Sequence, residues 1–163
     1  LQAPAIYFFP SRHFSGRTLK RDQTLWGSYV IEAGGKRLYL SGDGGNGPHF
    51  KEIGDLFRDS GGFDLAFIED GQYNADWAEI HMAPEGSVKA ATEVGAKSVI
   101  PIHNCRYALA RHAWYDPLER ILMASHLADW KLLTPKVGDV VPIGDLTIEF
   151  PAWWRDLPQR ASS

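Results

Sequence analysis

Three side chains able to hold a metal fall at equivalent places in this sequence: His13, Asp43 and His103. His13 follows the apolar run at residues 5–9. Asp43 follows Leu38-Tyr39-Leu40. His103 closes the run at residues 98–102. If each run is a strand, each polar side chain stands at or just past a strand's C-terminal end, where the loops of a sheet converge on one site. Imidazole nitrogen and carboxylate oxygen coordinate zinc and similar first-row metals. The separations of 30 and then 60 residues carry little specificity by themselves. A histidine more often serves as an ordinary surface or core group, and an aspartate in a glycine-rich turn more often serves the turn.

The elements that must position these residues are legible from pattern. Residues 5–9 are apolar and stopped by Pro10, which predicts a strand. Residues 25–33 are rich in β-branched and aromatic side chains, and Gly34-Gly35 separates them from Lys36-Arg37 and Leu38-Tyr39-Leu40, a hairpin signal. The glycine-rich stretch 42–47 follows directly. Phe50, Ile53, Leu56 and Phe57 give residues 49–58 the spacing of an amphipathic helix. Residues 63–68 predict a buried strand. Residues 84–94 predict a helix opened by Pro84 and stopped by Gly95. Residues 98–102 predict a strand, 117–128 a helix, and 131–148 two short strands around Gly138-Asp139. The order β-β-β-α-β-α-β-α-β-β is an α/β arrangement. No repeat or linker divides the chain, and the tail from Arg155 reads as frayed.

Local sequence sharpens the picture. Pro10-Ser11-Arg12-His13-Phe14-Ser15-Gly16-Arg17, Leu25-Trp26-Gly27-Ser28-Tyr29-Val30-Ile31 and Leu40-Ser41-Gly42-Asp43 occur in order. They are followed by Phe63-Asp64-Leu65-Ala66, Gly71-Gln72-Tyr73, His81-Met82-Ala83-Pro84-Glu85 and Ile102-His103. As an ordered set these resemble the metallo-β-lactamase superfamily, and most closely the branch of the N-acyl phosphatidylethanolamine-hydrolysing phospholipase D. The resemblance covers roughly residues 5–145. It implies an αββα sandwich in which two metals, commonly zinc, sit between two sheets. It implies that His13 ligates one metal, His103 the other, and that Asp43 bridges them, orients the attacking water and takes its proton. His81 matches a histidine near the site, with a role in substrate contact or charge stabilisation.

The family's other ligands come from a His-x-His-x-Asp-His motif, and this chain contains none. Each metal would then have two protein ligands, whereas a catalytic zinc generally has three. The expectation is therefore the C-terminal half of a sandwich over residues 1–150, with a tail at 151–163. The parent is expected to be a metal-dependent hydrolase, a phosphodiesterase acting through a hydroxide made on its metals. A lactonase of phosphorylated sugar acids is an alternative within enzymes. The other class of reading is a metal-free binding or assembly module that has lost the first motif. The chain alone is expected to be inactive, and its exposed sheet face to be covered by the missing half or by a second copy.

Composition narrows the partners. The 163 residues are 44% apolar and 23% charged, with a formal charge of −3, which supplies no general attraction for nucleic acid. No apolar run approaches the roughly 20 residues of a membrane span. The resemblance implies a small-molecule or lipid-like substrate, and the single cysteine accords with a cytoplasmic location. Arg12 and Arg17 are candidate phosphate contacts. Gly42, Gly44 and Gly45 resemble a phosphate-cradling loop only loosely. Cys105 reads as a small apolar residue rather than a nucleophile, and Trp153-Trp154 as packing.

Overall fold

The computed structural model describes residues 3–16, 19–106 and 109–158. Six strands form one mixed sheet: β1 (Ala5–Phe9), β2 (Ser28–Ala33), β3 (Lys36–Leu40), β4 (Leu65–Glu69), β5 (Ser98–Ile102) and β6 (Lys131–Leu132), paired in chain order. The first two pairings are antiparallel and the last three parallel. The parallel half is built from crossovers through α1 (His49–Arg58), α2 (Pro84–Val94) and α3 (Asp116–Ala124). This topology decides where chemistry can gather. β1, β3, β4 and β5 all run in the same direction, so their C-terminal ends share one edge of the sheet. His13, Asp43, Glu69 and His103 lie at those ends.

The helices lie side by side on one face and bury the core there. Val30, Tyr39, Ala66 and Val99 form a cross-strand row under Phe50, Ile53, Ala90, Ala91 and Val94. Phe9 and Phe57 close its β1 end, ring centroids 5.9 Å apart. The opposite face carries a second apolar row in matching register, Phe8, Tyr29, Leu40, Phe67 and Ile100. Phe8 is 51% exposed and Tyr29 44%, so that face is open at its β1 side.

Several boundaries differ from the sequence reading. β2 starts at Ser28, not at residue 25, because β1 ends at Phe9, whose partner is Ser28, and Pro10 carries the chain away. β4 runs through Glu69, which puts that carboxylate on a strand. α3 stops at Ala124, before residue 128: the Ala128 N–H reaches only the Ser125 carbonyl, a tight turn, and Leu127 is exposed. Only one of the two strands expected in 131–148 forms. Pro142 and Gly144 lie in turns, and Asp145 draws the Thr147 N–H and hydroxyl to its own side chain. The tail is not frayed through Asp156. Trp153–Asp156 makes a 3₁₀ turn, Trp154 is buried, and its indole N–H donates to Glu119 Oε2 at 2.8 Å. No described helix is long and apolar enough to cross a membrane.

Candidate metal centre at the strand ends

The four residues singled out in the sequence meet. His13 lies in the loop after β1, and Asp43 three residues past β3. His81 lies between the 3₁₀ turn Ala75–Trp77 and α2. His103 lies one residue past β5 in a left-handed conformation, φ 65°. The His81 ring stacks on His103 with centroids 5.1 Å apart and meets His13 edge-on at 5.4 Å. Asp43 Oδ1 is 3.4 Å from His103 Nδ1. Two ligands each about 2.0–2.2 Å from one cation, at a tetrahedral angle, are separated by about that distance. His13 Nδ1 lies 2.8 Å from the Phe14 carbonyl. That oxygen can only accept, so the Nδ1 carries the proton and Nε2 is left bare for coordination. The donor set therefore fits a divalent metal of the zinc type.

Two glycines bring these loops within reach. A Cβ on Gly45 would lie 1.9 Å from the Glu79 carbonyl oxygen, so only glycine lets the Asp43 loop pass the segment leading to His81. A Cβ on Gly71 would lie 2.2 Å from the His103 carbonyl oxygen, so the turn after β4 can touch the turn after β5 for the same reason. Gln72 then fastens residues beyond His103. Its side-chain oxygen accepts from the N–H groups of Leu109 and Ala110 at 2.9 and 3.1 Å.

A family model described as beta-lactamase superfamily domain matches residues 2–104. The chain belongs to the metallo-β-lactamase superfamily. Outer membrane protein RomA of Klebsiella pneumoniae is 50% identical over 98 residues, which is 60% of this chain and 72% of that protein. An uncharacterized protein of Mycobacterium tuberculosis is 39% identical over 150 residues, 90% of this chain but 39% of its own length. The mitochondrial N-acyl-phosphatidylethanolamine-hydrolyzing phospholipase D of Saccharomyces cerevisiae is 29% identical over 130 residues, 74% of this chain and 26% of that protein. Among solved structures, Igni18, a metallo hydrolase from the archaeon Ignicoccus hospitalis, superposes with a TM-score of 0.61 at 20% identity. That match covers 85% of this chain and 52% of Igni18. The chain thus spans about half of that solved structure and well under half of the mycobacterial and yeast relatives.

Within this metallo-β-lactamase frame the structure adds one residue that the sequence reading passed over. Glu69 is fully buried, with Oε1 3.1 Å from His81 Nδ1 and Oε2 accepting from the Met82 N–H at 2.8 Å. Ligand atoms of Glu69, His81 and His103 lie within 4.8 Å of one another. The signal was present: Glu69 ends a strand at the same sheet edge as Asp43 and His103, but reads in sequence as a mere strand terminator. Burial pushes the Glu69 carboxyl upward, against the opposing His81 and Met82 hydrogen bonds. Its neighbour Asp70 is also fully buried, its carboxyl oxygens lack hydrogen-bond partners among the described residues, and burial raises it well above the usual carboxylate range.

Other candidates are spoken for. Arg12 pairs with Glu79 and donates to the Asn46 carbonyl, so it ties loops together. Arg17 lies outside the described residues. Burial and the nearby Asp70 push the Cys105 thiol up to about 11, which leaves little thiolate for nucleophilic attack at neutral pH. A cleft of about 530 Å³ opens beside His13 and Asp43, walled by Phe14, Leu25, Trp26 and Tyr29.

Proposed function

We propose that this chain is the C-terminal portion of a dinuclear metal-dependent hydrolase, a phosphodiesterase of small-molecule or lipid-like substrates, and that it is inactive alone. The carrying observation is Asp43 3.4 Å from His103, with His81 stacked on His103 and His13 alongside, in a chain of this superfamily. The phosphodiester class is supported by the activity for which the yeast phospholipase D relative is named.

In this reading His13, Asp43 and His103 would hold the divalent cations, Asp43 serving both, with zinc the first choice for a nitrogen and oxygen donor set. Such a pair supplies an acidified water and neutralises charge on substrate oxygens. Asp43 orients the attacking water and accepts its proton. His81 contacts the substrate oxygen on which charge develops. The cleft walled by Phe14, Trp26 and Tyr29 takes the organic part of the substrate. The remaining ligands come from an N-terminal half bearing the His-x-His-x-Asp-His motif, which also covers the open sheet face; a second copy is the other occupant of that face. The protein works in the cytoplasm.

The test uses the full-length, metal-loaded protein. Two metals per chain are expected by plasma emission analysis, with turnover of a bis-aryl phosphodiester. Asp43→Ala should lower turnover about 100-fold or more and release metal. Failure to cleave any phosphodiester sinks the substrate class, and opening of a sugar-phosphate lactone in its place assigns the alternative. Two tightly held metals in the 163-residue chain alone would overturn its half-site status.

A further inference from the structure

The hydrolase reading uses His81 but gives Glu69 no part. Glu69 is the most completely tied residue near the centre. Its N–H donates to Ser41 Oγ at 2.9 Å, and its carbonyl accepts from Ser87 Oγ at 2.7 Å. Its Oε2 accepts from the Met82 N–H, and its Oε1 meets His81 Nδ1, with a longer contact from the Gly71 N–H at 3.4 Å. These bonds reach the Asp43 and His81 loops, and strand pairing reaches the His103 turn. Ser41 precedes Asp43 by two residues, Met82 follows His81, and the β4–β5 pairing sets Glu69 opposite Ile102, next to His103.

We propose that Glu69 is the positioning residue of this centre: its buried carboxylate holds His81 in the Nδ1–H tautomer and leaves Nε2 as the nitrogen that works. This inference rests on the hydrolase reading for what His81 then does, but not for the dyad itself. The direction of the bond follows from the other donors. The Met82 and Gly71 N–H groups are fixed donors aimed at the same carboxyl, and they favour its charged, acceptor form. A carboxylate acceptor fixes the proton on the facing nitrogen of an imidazole and orients the ring, as carboxylates do for metal-bound histidines. Nε2 of His81 makes no hydrogen bond among the described residues and is not among their sealed polar atoms. The alternative employment of Glu69, as a direct cation ligand with His81 and His103, would need the cation to reach past two half-buried histidines to a fully buried carboxylate and displace the Nδ1–H bond.

The readout is the tautomer itself. Imidazole nitrogen correlations of the ¹⁵N-labelled 163-residue chain, recorded above neutral pH with His81→Gln as the assignment control, should show the Nδ1–H form of His81 in roughly tenfold excess or more. In Glu69→Gln the single amide oxygen can serve His81 or Met82 but not both, and the ratio should fall by about tenfold. An Nε2–H form dominant in the wild type overturns the proposal, and so does an unchanged ratio in folded Glu69→Gln. If that variant fails to fold, the wild-type spectrum alone decides. Zinc titration separates the ligand role: loss of zinc binding in Glu69→Gln with the tautomer intact makes Glu69 a ligand and overturns positioning. In the full-length enzyme Glu69→Gln should lower kcat about 10- to 100-fold at unchanged KM. A full-length protein with no hydrolysis at all defeats the hydrolase reading while leaving the tautomer result standing.

Discussion

Glu69 and Asp70 are sequence neighbours, both fully buried, and they solve the burial of a carboxyl in different ways. Glu69 gathers donors, whereas the Asp70 oxygens have no partner in hydrogen-bond geometry among the described residues, so burial disfavours the charged form and holds the Asp70 carboxyl well above its ordinary range. The sign of the pH dependence follows. The folded chain holds the Asp70 proton to higher pH than the unfolded chain does. Between the ordinary carboxylate range and the raised folded value, unfolding therefore releases a proton, and stability falls as pH rises. One such group contributes at most about 1.4 kcal/mol per pH unit. Asp70→Asn should remove that slope, read by thermal unfolding of the metal-free chain across pH 4 to 8. A slope unchanged by the substitution would show that Asp70 titrates normally. At this scale the sequence pointed to His13, Asp43, His81 and His103, which the fold brings together, because each sits in a motif or a polar turn. Glu69 and Asp70 escaped notice because an acidic pair before a glycine looks like any strand exit; only burial sets them apart.

At the scale of elements, the candidate site comes together because four strand ends share one sheet edge and two glycines let their loops touch. The strand and helix order was readable from apolar spacing, and α1 and α2 match their expected ranges. The contacts between loops were not readable, since a glycine required by a neighbour 32 residues away looks the same as a turn glycine. Gly71 makes the point: its backbone is not left-handed, yet a Cβ there would collide with the His103 carbonyl at 2.2 Å. Gly71→Ala should push the His103 turn away, at a cost of about 1–3 kcal/mol from overpacking. Thermal unfolding reads the cost, and a shift of the His103 imidazole resonances reads the displacement. A variant as stable as the wild type, with those resonances unmoved, would mean that the two turns can part freely. Gly34 and Gly35 have open space where a Cβ would go, so their role is in the hairpin turn alone.

At the scale of the whole chain, the described residues form one sheet with helices on a single face, and among them the second apolar row has no covering layer on its β1 side. Strand alternation sends Ile6 and Phe8 to that face, where they are 68% and 51% exposed, while Phe9 turns to the helices and meets Phe57. β1 is also an edge strand, so apolar side chains lie beside the outward backbone groups of a sheet edge there. Such a surface favours association in water, since burying apolar area gains about 25 cal/mol per Å². The isolated chain should therefore self-associate at micromolar concentrations. Ile6→Lys with Phe8→Lys should shift it toward monomer, because the added charges repel across the same face and cost little where the side chains are already in water. Sedimentation velocity over a concentration series measures this. On the proposed reading, co-expression with an N-terminal half bearing the His-x-His-x-Asp-His motif should give a one-to-one complex that excludes self-association and gains affinity for metal. A wild-type chain that stays monomeric throughout would show that residues packed elsewhere already shield the row. In that case the sandwich would draw its second layer from a surface other than the one between β1 and β5.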